Sequence, residues 1–195
     1  MINNFKQTNV PQSLSLNAFR AASDALGQFA KSCRFVVKIN PSATMLTSLP
    51  KNDLIYMCEA AEFPGRGFDV TQIRYYGPSQ VMPNNTMYNT CNLQFLCRSA
   101  STERAFFDDW MEYINPTTSF NFEYPVNYYC NIQIFQFSEF GGRNTPSNAI
   151  YGWTLNKAWP TLVAPQQVTW ADQDILRLQV TFAYKYWDRP DYITP

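Results

Sequence analysis

The chain is 195 residues long, enough for one domain or for one domain with an arm. Its 15 basic and 15 acidic residues cancel, and this balance argues against a nucleic-acid binder held by counterion release. Hydrophobic residues make up 46%, aromatic 16% and charged only 15%, against about 25% charged in average soluble proteins. A surface that thin in charge is expected to be rich in uncharged polar groups and partly covered by partners.

Residues 1–10 show no basic start leading into an apolar run, and no run approaches about 18 apolar residues. The expectation is a soluble chain without a leader or a membrane span, folding in a cytoplasm. Residues 1–15 are polar and irregular. Leu16, Phe19, Ala22, Leu26 and Phe29 then recur at helical spacing. Residues 1–32 therefore read as an arm with a short amphipathic helix, docked on its own domain or on a neighbour, and residues 33–195 as a β domain.

From Cys33 the period changes to two. Cys33, Phe35, Val37 and Ile39 alternate with Arg34, Val36 and Lys38, predicting a strand that ends at Asn40-Pro41. Residues 54–62 read as the next strand. Phe63-Pro64-Gly65-Arg66-Gly67 reads as a turn and residues 70–76 as the returning arm of a hairpin. Arg66 would then be either an exposed turn residue or a tip that reaches an adjacent subunit. A Gly77-Pro78 turn and a loose segment follow, and then Cys91, Leu93, Phe95 and Cys97 alternate with Asn92, Gln94 and Leu96.

One helix interrupts the strands. Ser99, Ser101 and Thr102 offer capping oxygens, Glu103 suits the positive end, and Phe106, Phe107, Trp110, Met111 and Ile114 form one apolar face. Asn115-Pro116 stops it. Residues 131–137 resume the strand pattern, with a parity switch between Ile134 and Phe135 that predicts a bulge. The loop Gly141-Gly142-Arg143 separates it from a strand over 150–158, and Pro160 and Pro165 bracket a turn. In residues 176–186, Leu176, Leu178, Val180, Phe182, Tyr184 and Tyr186 alternate with Arg177, Gln179, Thr181 and Lys185. At roughly 3.3 Å per residue such a strand would reach about 35–40 Å. One of its faces would be apolar. The other, carrying Arg177, Gln179, Thr181 and Lys185, would meet water in a channel or a subunit seam. The architecture expected is a β-rich sandwich or open barrel with one packed helix.

The residues needed for chemistry are missing. The chain has no histidine, and Cys33, Cys58, Cys91, Cys97 and Cys130 form an odd set with no C-x-x-C pair. A zinc site is not expected, and the thiols read as buried and reduced. No nucleophile elbow, phosphate loop or dinucleotide fingerprint occurs. Asp108 and Asp109 are adjacent on a helix and do not share a face. Asp172-Gln173-Asp174 lacks the glycine and glutamate of a calcium loop, and the sequon at Asn84-Asn85-Thr86 has no secretory context. Not an enzyme is the expectation, with no catalytic, cofactor or metal site. A ligand- or nucleic-acid-binding β module remains a distant alternative, on the aromatic content alone.

The order of these pieces resembles the tail tube proteins of contractile-tailed bacteriophages related to T4, over residues 33–188. The resemblance rests on Tyr56-Met57-Cys58-Glu59-Ala60-Ala61-Glu62-Phe63-Pro64-Gly65, on the helix with Phe106-Phe107-Asp108-Asp109-Trp110, and above all on the C-terminal series. That series is Ala158-Trp159-Pro160-Thr161-Leu162-Val163, Val168-Thr169-Trp170 and Val180-Thr181-Phe182-Ala183-Tyr184-Lys185-Tyr186-Trp187. The resemblance implies a structural virion protein whose copies join six to a ring, with rings stacked around a channel. It implies sheath, tape-measure and baseplate proteins as partners and transient passage of double-stranded DNA, with no cofactor. Phe63, Pro64, Gly65, Arg66 and Gly67 would form a subunit interface. The longer arm and the extra residues between Pro78 and Thr90 leave room for a specialised ring, a baseplate initiator or a tail terminator.

Overall fold

The computed structural model describes residues 30–41, 53–137, 149–171 and 173–189. The chain divides between Cys33 and Arg34 into two units, and the fold described is that of the second. The helix expected within residues 16–29 and the loop at Gly141-Gly142-Arg143 lie outside the described residues.

Nine strands and three helices are present among the described residues. They run β1 (Phe35–Asn40), α1 (Asp53–Met57), β2 (Cys58–Ala61), β3 (Arg66–Ile73), β4 (Gln80–Tyr88), β5 (Cys91–Leu96), α2 (Thr102–Ile114), α3 (Pro125–Tyr128), β6 (Cys130–Phe137), β7 (Ala149–Val163), β8 (Arg177–Ala183) and β9 (Tyr186–Asp188). An antiparallel sheet runs in the order β1-β6-β7-β8-β5-β2, with β9 added to β7, and β3 and β4 pair with each other alone. The mainly β architecture with one long helix agrees with the sequence reading.

The core follows from alternation. Val37, Ile39, Leu93, Phe95, Ile132, Ile134, Leu178, Val180 and Phe182 point to one side of the sheet and are all buried. Phe106, Phe107, Trp110 and Ile114 of α2 pack into the same cluster. Phe107 lies 5.1 Å from Phe95 and 6.0 Å from Phe182, ring centre to ring centre. Each such side chain contributes about 1.5–3 kcal/mol of burial. The indole N–H of Trp110 donates to the Tyr128 carbonyl at 3.2 Å, so the ring is buried without an orphaned donor.

The start of α2 differs from expectation. Ser101 adopts a left-handed conformation and makes no side-chain cap. Glu103 is buried instead, accepting from the Arg98 backbone N–H at 3.1 Å and from Arg98 Nε at 2.6 Å. Burial would push its carboxyl upward, but these hydrogen bonds and the guanidinium charge outweigh it and hold it below the usual carboxylate range.

The longest strand is β7, not the C-terminal one. Its first part pairs with β6, Trp159–Val163 pairs with β8, and residues 154–156 also pair with β9. It passes through Pro160, where the sequence predicts a turn. A bulge between the pairs Cys130–Ala158 and Ile132–Leu155 bends it, with Lys157 at φ 56. Another shift lies at Gln136/Phe137, whereas the predicted bulge at Ile134/Phe135 is absent: both residues stay in register and both are buried. The expected strand over 176–186 is broken only at Tyr184 and Lys185: β9 resumes in the same direction and register along β7, with Pro160 opposite Phe182 and Asn156 opposite Tyr186, and Lys185 N–H donates to the Asn156 carbonyl at 3.0 Å.

The first strands also depart from expectation. Residues 53–57 are helical rather than extended. Residues 66–73 pair with β4, not with β2, and the loose segment predicted before Asn85 is strand β4. The turn of the hairpin is therefore at 74–79, where Gly77 takes φ 77 and Arg74 Nε donates to the Gly77 carbonyl at 2.8 Å.

Candidate functional site

β2–β3 and β4–β5 form one long ribbon. Ala61 opposes Leu93 and Arg66 opposes Tyr88, so advancing five residues on one strand retreats five on the other, with no slip. Between them Glu62 N–H still donates to the Asn92 carbonyl at 3.0 Å. Pro64 has no N–H to offer, and the ladder lapses there. The inner half of the ribbon lies in the sheet, flanked by β8. The outer half leaves it.

Phe63, Pro64, Gly65, Arg66 and Gly67 thus sit at a joint partway along the ribbon rather than at its tip. Aromatic rings hold the joint. Phe63 stacks on Trp153 at 4.4 Å, Trp153 meets Tyr151 at 4.7 Å, and Trp187 Nε1 donates to the Gly65 carbonyl at 3.4 Å. Tyr88 contacts Tyr184 edge-on at 6.1 Å. The Arg66 guanidinium lies over Phe68 at 5.3 Å and over Tyr88 at 5.8 Å. Beneath the joint the buried Cys91 thiol donates to the Glu62 carbonyl at 3.1 Å, and burial, with Glu62 and Cys58 adding to it, pushes its pKa to about 12. Burial likewise raises Cys58 to about 12 and Cys130 further. Cys33, by contrast, is exposed, because it precedes β1 instead of belonging to it; all five cysteines are free.

Beyond the joint the ribbon presents apolar side chains to solvent. Phe68, Val70, Val81, Met82 and Met87 are exposed, as are Tyr75 and Tyr76 at the tip. Among the described residues the outer edges of β3 and β4 are unpaired, and the edge of β3 continues that of β2 over residues 58–73. A two-stranded ribbon is marginally stable in water, and open edges invite pairing.

The sheet face opposite the core is polar. Arg177, Gln179 and Thr181 lie together on it, as the alternation predicts, beside Glu59, Asn92 and Gln94. Lys185 lies past the end of β8, in the two-residue break before β9. Arg177 Nε donates to Glu59 Oε2 at 2.8 Å, Gln94 Nε2 to the same oxygen at 3.3 Å, and Thr181 Oγ1 to Asn92 Oδ1 at 2.7 Å. Asn92 Nδ2 donates to Glu62 Oε2 at 2.7 Å. A depression of about 280 Å³ lies between these strands. Nothing in this network pairs a nucleophile with a base. It is a hydrogen-bonded polar wall.

Two further surfaces escape the sequence reading. After α2, Phe120, Phe122, Tyr124 and Val126 are exposed, while Glu123 between them is turned inward, accepting from Asn127 Nδ2 at 2.6 Å. The alternation in Phe120-Asn121-Phe122-Glu123-Tyr124 was the available signal. In the β7–β8 connection, Val168, Trp170 and Ile175 are exposed, Trp170 completely. Among the described residues no group of three or more His, Cys, Asp or Glu could hold a metal, and no helix is long and apolar enough to cross a membrane.

Similar folds occur in contractile injection systems. A chain of the sheath–tube complex of the PVC extracellular contractile injection system in its extended state gives a TM-score of 0.60 at 16% identity, covering 91% of this chain and 99% of that one. A chain of the PVC sheath/tube terminator gives 0.60 at 15%, covering 85% and 99%. A chain of the anti-feeding prophage baseplate gives 0.60 at 15%, covering 84% and 97%. At these identities the likeness shows the fold. No curated protein matches the sequence. The model of the phage tail tube protein family matches residues 30–189, and this chain therefore belongs to that family, one of structural tail components and not of enzymes.

Proposed function

We propose that this chain is a tube subunit whose copies close six to a ring and stack into a channel for double-stranded DNA. The observation that carries this reading is the outer half of the ribbon, which exposes apolar residues on both faces and leaves its edges unpaired. Edge pairing between copies would remove those hazards and merge the sheets into a common barrel. Residues 63–67 set the angle at which the ribbon meets the next subunit. Arg177, Gln179 and Thr181 face the channel or a seam within a wall of amides and hydroxyls. Arg177 is tied to Glu59, so the wall adds little counterion release and a duplex could slide past it.

Sheath, tape-measure and baseplate proteins are the partners this role requires, with assembly in the host cytoplasm. The exposed stripe of Phe120, Phe122, Tyr124 and Val126, next to the acidic outer side of α2 with Asp108, Asp109 and Glu112, supports an encircling partner. A second reading is a specialised ring, a baseplate initiator or a tail terminator; the equal TM-scores to terminator and baseplate chains favour keeping it. Electron microscopy of the purified chain at increasing concentration separates these outcomes. Long tubes support the repeated subunit, single or paired rings support the specialised one, and a chain that stays monomeric throughout overturns both.

A further inference from the structure

The joint of the ribbon is held from the side, not along its ladder. Glu62 N–H donates to the Asn92 carbonyl, and Arg66 pairs with Tyr88. Between these points, among the described residues, no backbone hydrogen bond joins residues 63–65 to residues 89–91. Side-chain rings fix the angle instead. Phe63 stacks on Trp153, Tyr88 meets Tyr184 edge-on, and Trp187 Nε1 reaches the Gly65 carbonyl at 3.4 Å, a long hydrogen bond. Pro64, between the stacked Phe63 and Gly65, is buried.

The joint also carries two glycines that this angle does not use. Neither Gly65 nor Gly67 takes a positive φ. A methyl group added at Gly67 would meet nothing within 4 Å, and one added at Gly65 only Asn89 Nδ2 at 3.8 Å, an ordinary contact. Alanine would fit at both positions, so glycine's wider backbone range matters only if the joint visits other angles. A third observation makes the observed angle costly. The Tyr184 hydroxyl oxygen is buried and has no hydrogen-bond partner among the described residues. Burial, with Cys91, Tyr88 and Glu62 adding to it, pushes its pKa up to about 12, so it stays a neutral donor. A buried donor without an acceptor opposes the arrangement that buries it.

We propose that residues 63–67 are a latched hinge: Phe63 on Trp153 and Trp187 on Gly65 hold the ribbon of a lone chain at this angle, and the ribbon turns about Pro64 to a second angle that uncovers the Tyr184 hydroxyl. The lapse of the ladder gives the pivot, the two glycines give it range, and the orphaned hydroxyl biases it toward release. The latch is short and made of side chains, so opening it leaves the sheet and α2 intact. The hinge is a property of the single chain. That its second angle is the one at which the ribbon's unpaired edges meet another copy rests on the self-association reading above.

The test uses the full chain, first at a dilution where it is monomeric. Cys91, buried beneath the joint, is alkylated with iodoacetamide and read by peptide mass spectrometry. A hinge opening exposes little surface, so alkylation should be nearly independent of low urea, while amide exchange in β6 should depend on it steeply. Gly65→Ala with Gly67→Ala, and separately Tyr184→Phe, should each slow alkylation about threefold or more, and Trp187→Phe should speed it. At higher concentration the first two variants should lengthen the lag before assembly, seen by light scattering, and the third should shorten it. Alkylation of Cys91 with the same urea slope as β6 exchange, or a Tyr184→Phe chain less stable to heat than wild type, would overturn the hinge whatever assembly does. Shifted alkylation with an unchanged lag would overturn its part in pairing and leave self-association standing. A chain that never assembles, with alkylation responding as expected, would support the hinge and sink the self-association reading.

Discussion

The two halves of the ribbon share one register and meet opposite fates. In β5 every second residue is buried, Cys91, Leu93 and Phe95 each at 0% exposure. In β4, ahead of the joint, no residue is buried. Both halves have a hydrogen-bonded partner strand and both carry apolar side chains. What differs is a third layer: β5 has β8 beside it and α2 over it, and β4 has neither. Pairing alone organises a strand, but only a covering layer takes its side chains from water. The outer half is therefore the part of the described chain whose apolar side chains stay in water.

This comparison can be broken at several points. The largest effect belongs to the inner half. Phe95→Ala should destabilise the chain by about 3–5 kcal/mol, because it leaves a cavity against Phe107; urea unfolding followed by circular dichroism measures it, and a loss below about 1 kcal/mol would contradict the core described. Next comes Glu103, which anchors the start of α2 over that half. Its carboxyl titrates lower folded than unfolded, so its contribution is complete above the unfolded value of about 4.3 and is lost as pH falls through the lowered one. Glu103→Gln should flatten the acid limb of stability between about pH 5 and 2, read by thermal melts across pH.

A smaller effect is expected at the joint. Trp153→Ala removes the stack on Phe63, a contact worth about 0.5–1.5 kcal/mol beyond burial. Amide exchange across residues 66–88 should quicken, and Cys91 should become open to alkylation, while amides of β6 in the core stay protected. Unchanged exchange in the ribbon would mean that the clamp does not set its angle. The smallest effect belongs to the outer half. Phe68→Ala should change monomer stability by no more than about 0.5 kcal/mol, in urea, yet reduce assembly seen in sedimentation. A large loss of monomer stability there would show that the ribbon packs on its own chain.

Where side chains repeat with a clear period and are covered by their own chain, the sequence reading held. β1, β5 and α2 were legible from Val37 and Ile39, from Cys91, Leu93 and Phe95, and from Phe106, Phe107, Trp110 and Ile114. The polar wall was legible through Arg177, Gln179 and Thr181. The readings that failed share a cause. Phe63-Pro64-Gly65-Arg66-Gly67 has the composition of a turn, but local composition does not say whether the chain reverses or bends. Pro83 and Asn84-Asn85 look like loop, yet they sit in β4, where Pro83 opposes Val70 at a register shift. The strand over 176–186, by contrast, does run on along β7 as its alternation implies, with a break at Tyr184 and Lys185 before β9.

The amino-acid order by itself determined the periodic elements, the apolar face of each, the absence of histidine and the near-balance of charge. Those are properties of neighbours along the chain. Which strand continues, which proline bends a ribbon and which apolar residues stay wet were decided by tertiary contacts, because a side chain's burial depends on what packs over it from far away in sequence. Glu62 next to Asn92, Phe63 on Trp153 and Gly65 beneath Trp187 are such contacts, and together they aim the ribbon away from the sheet.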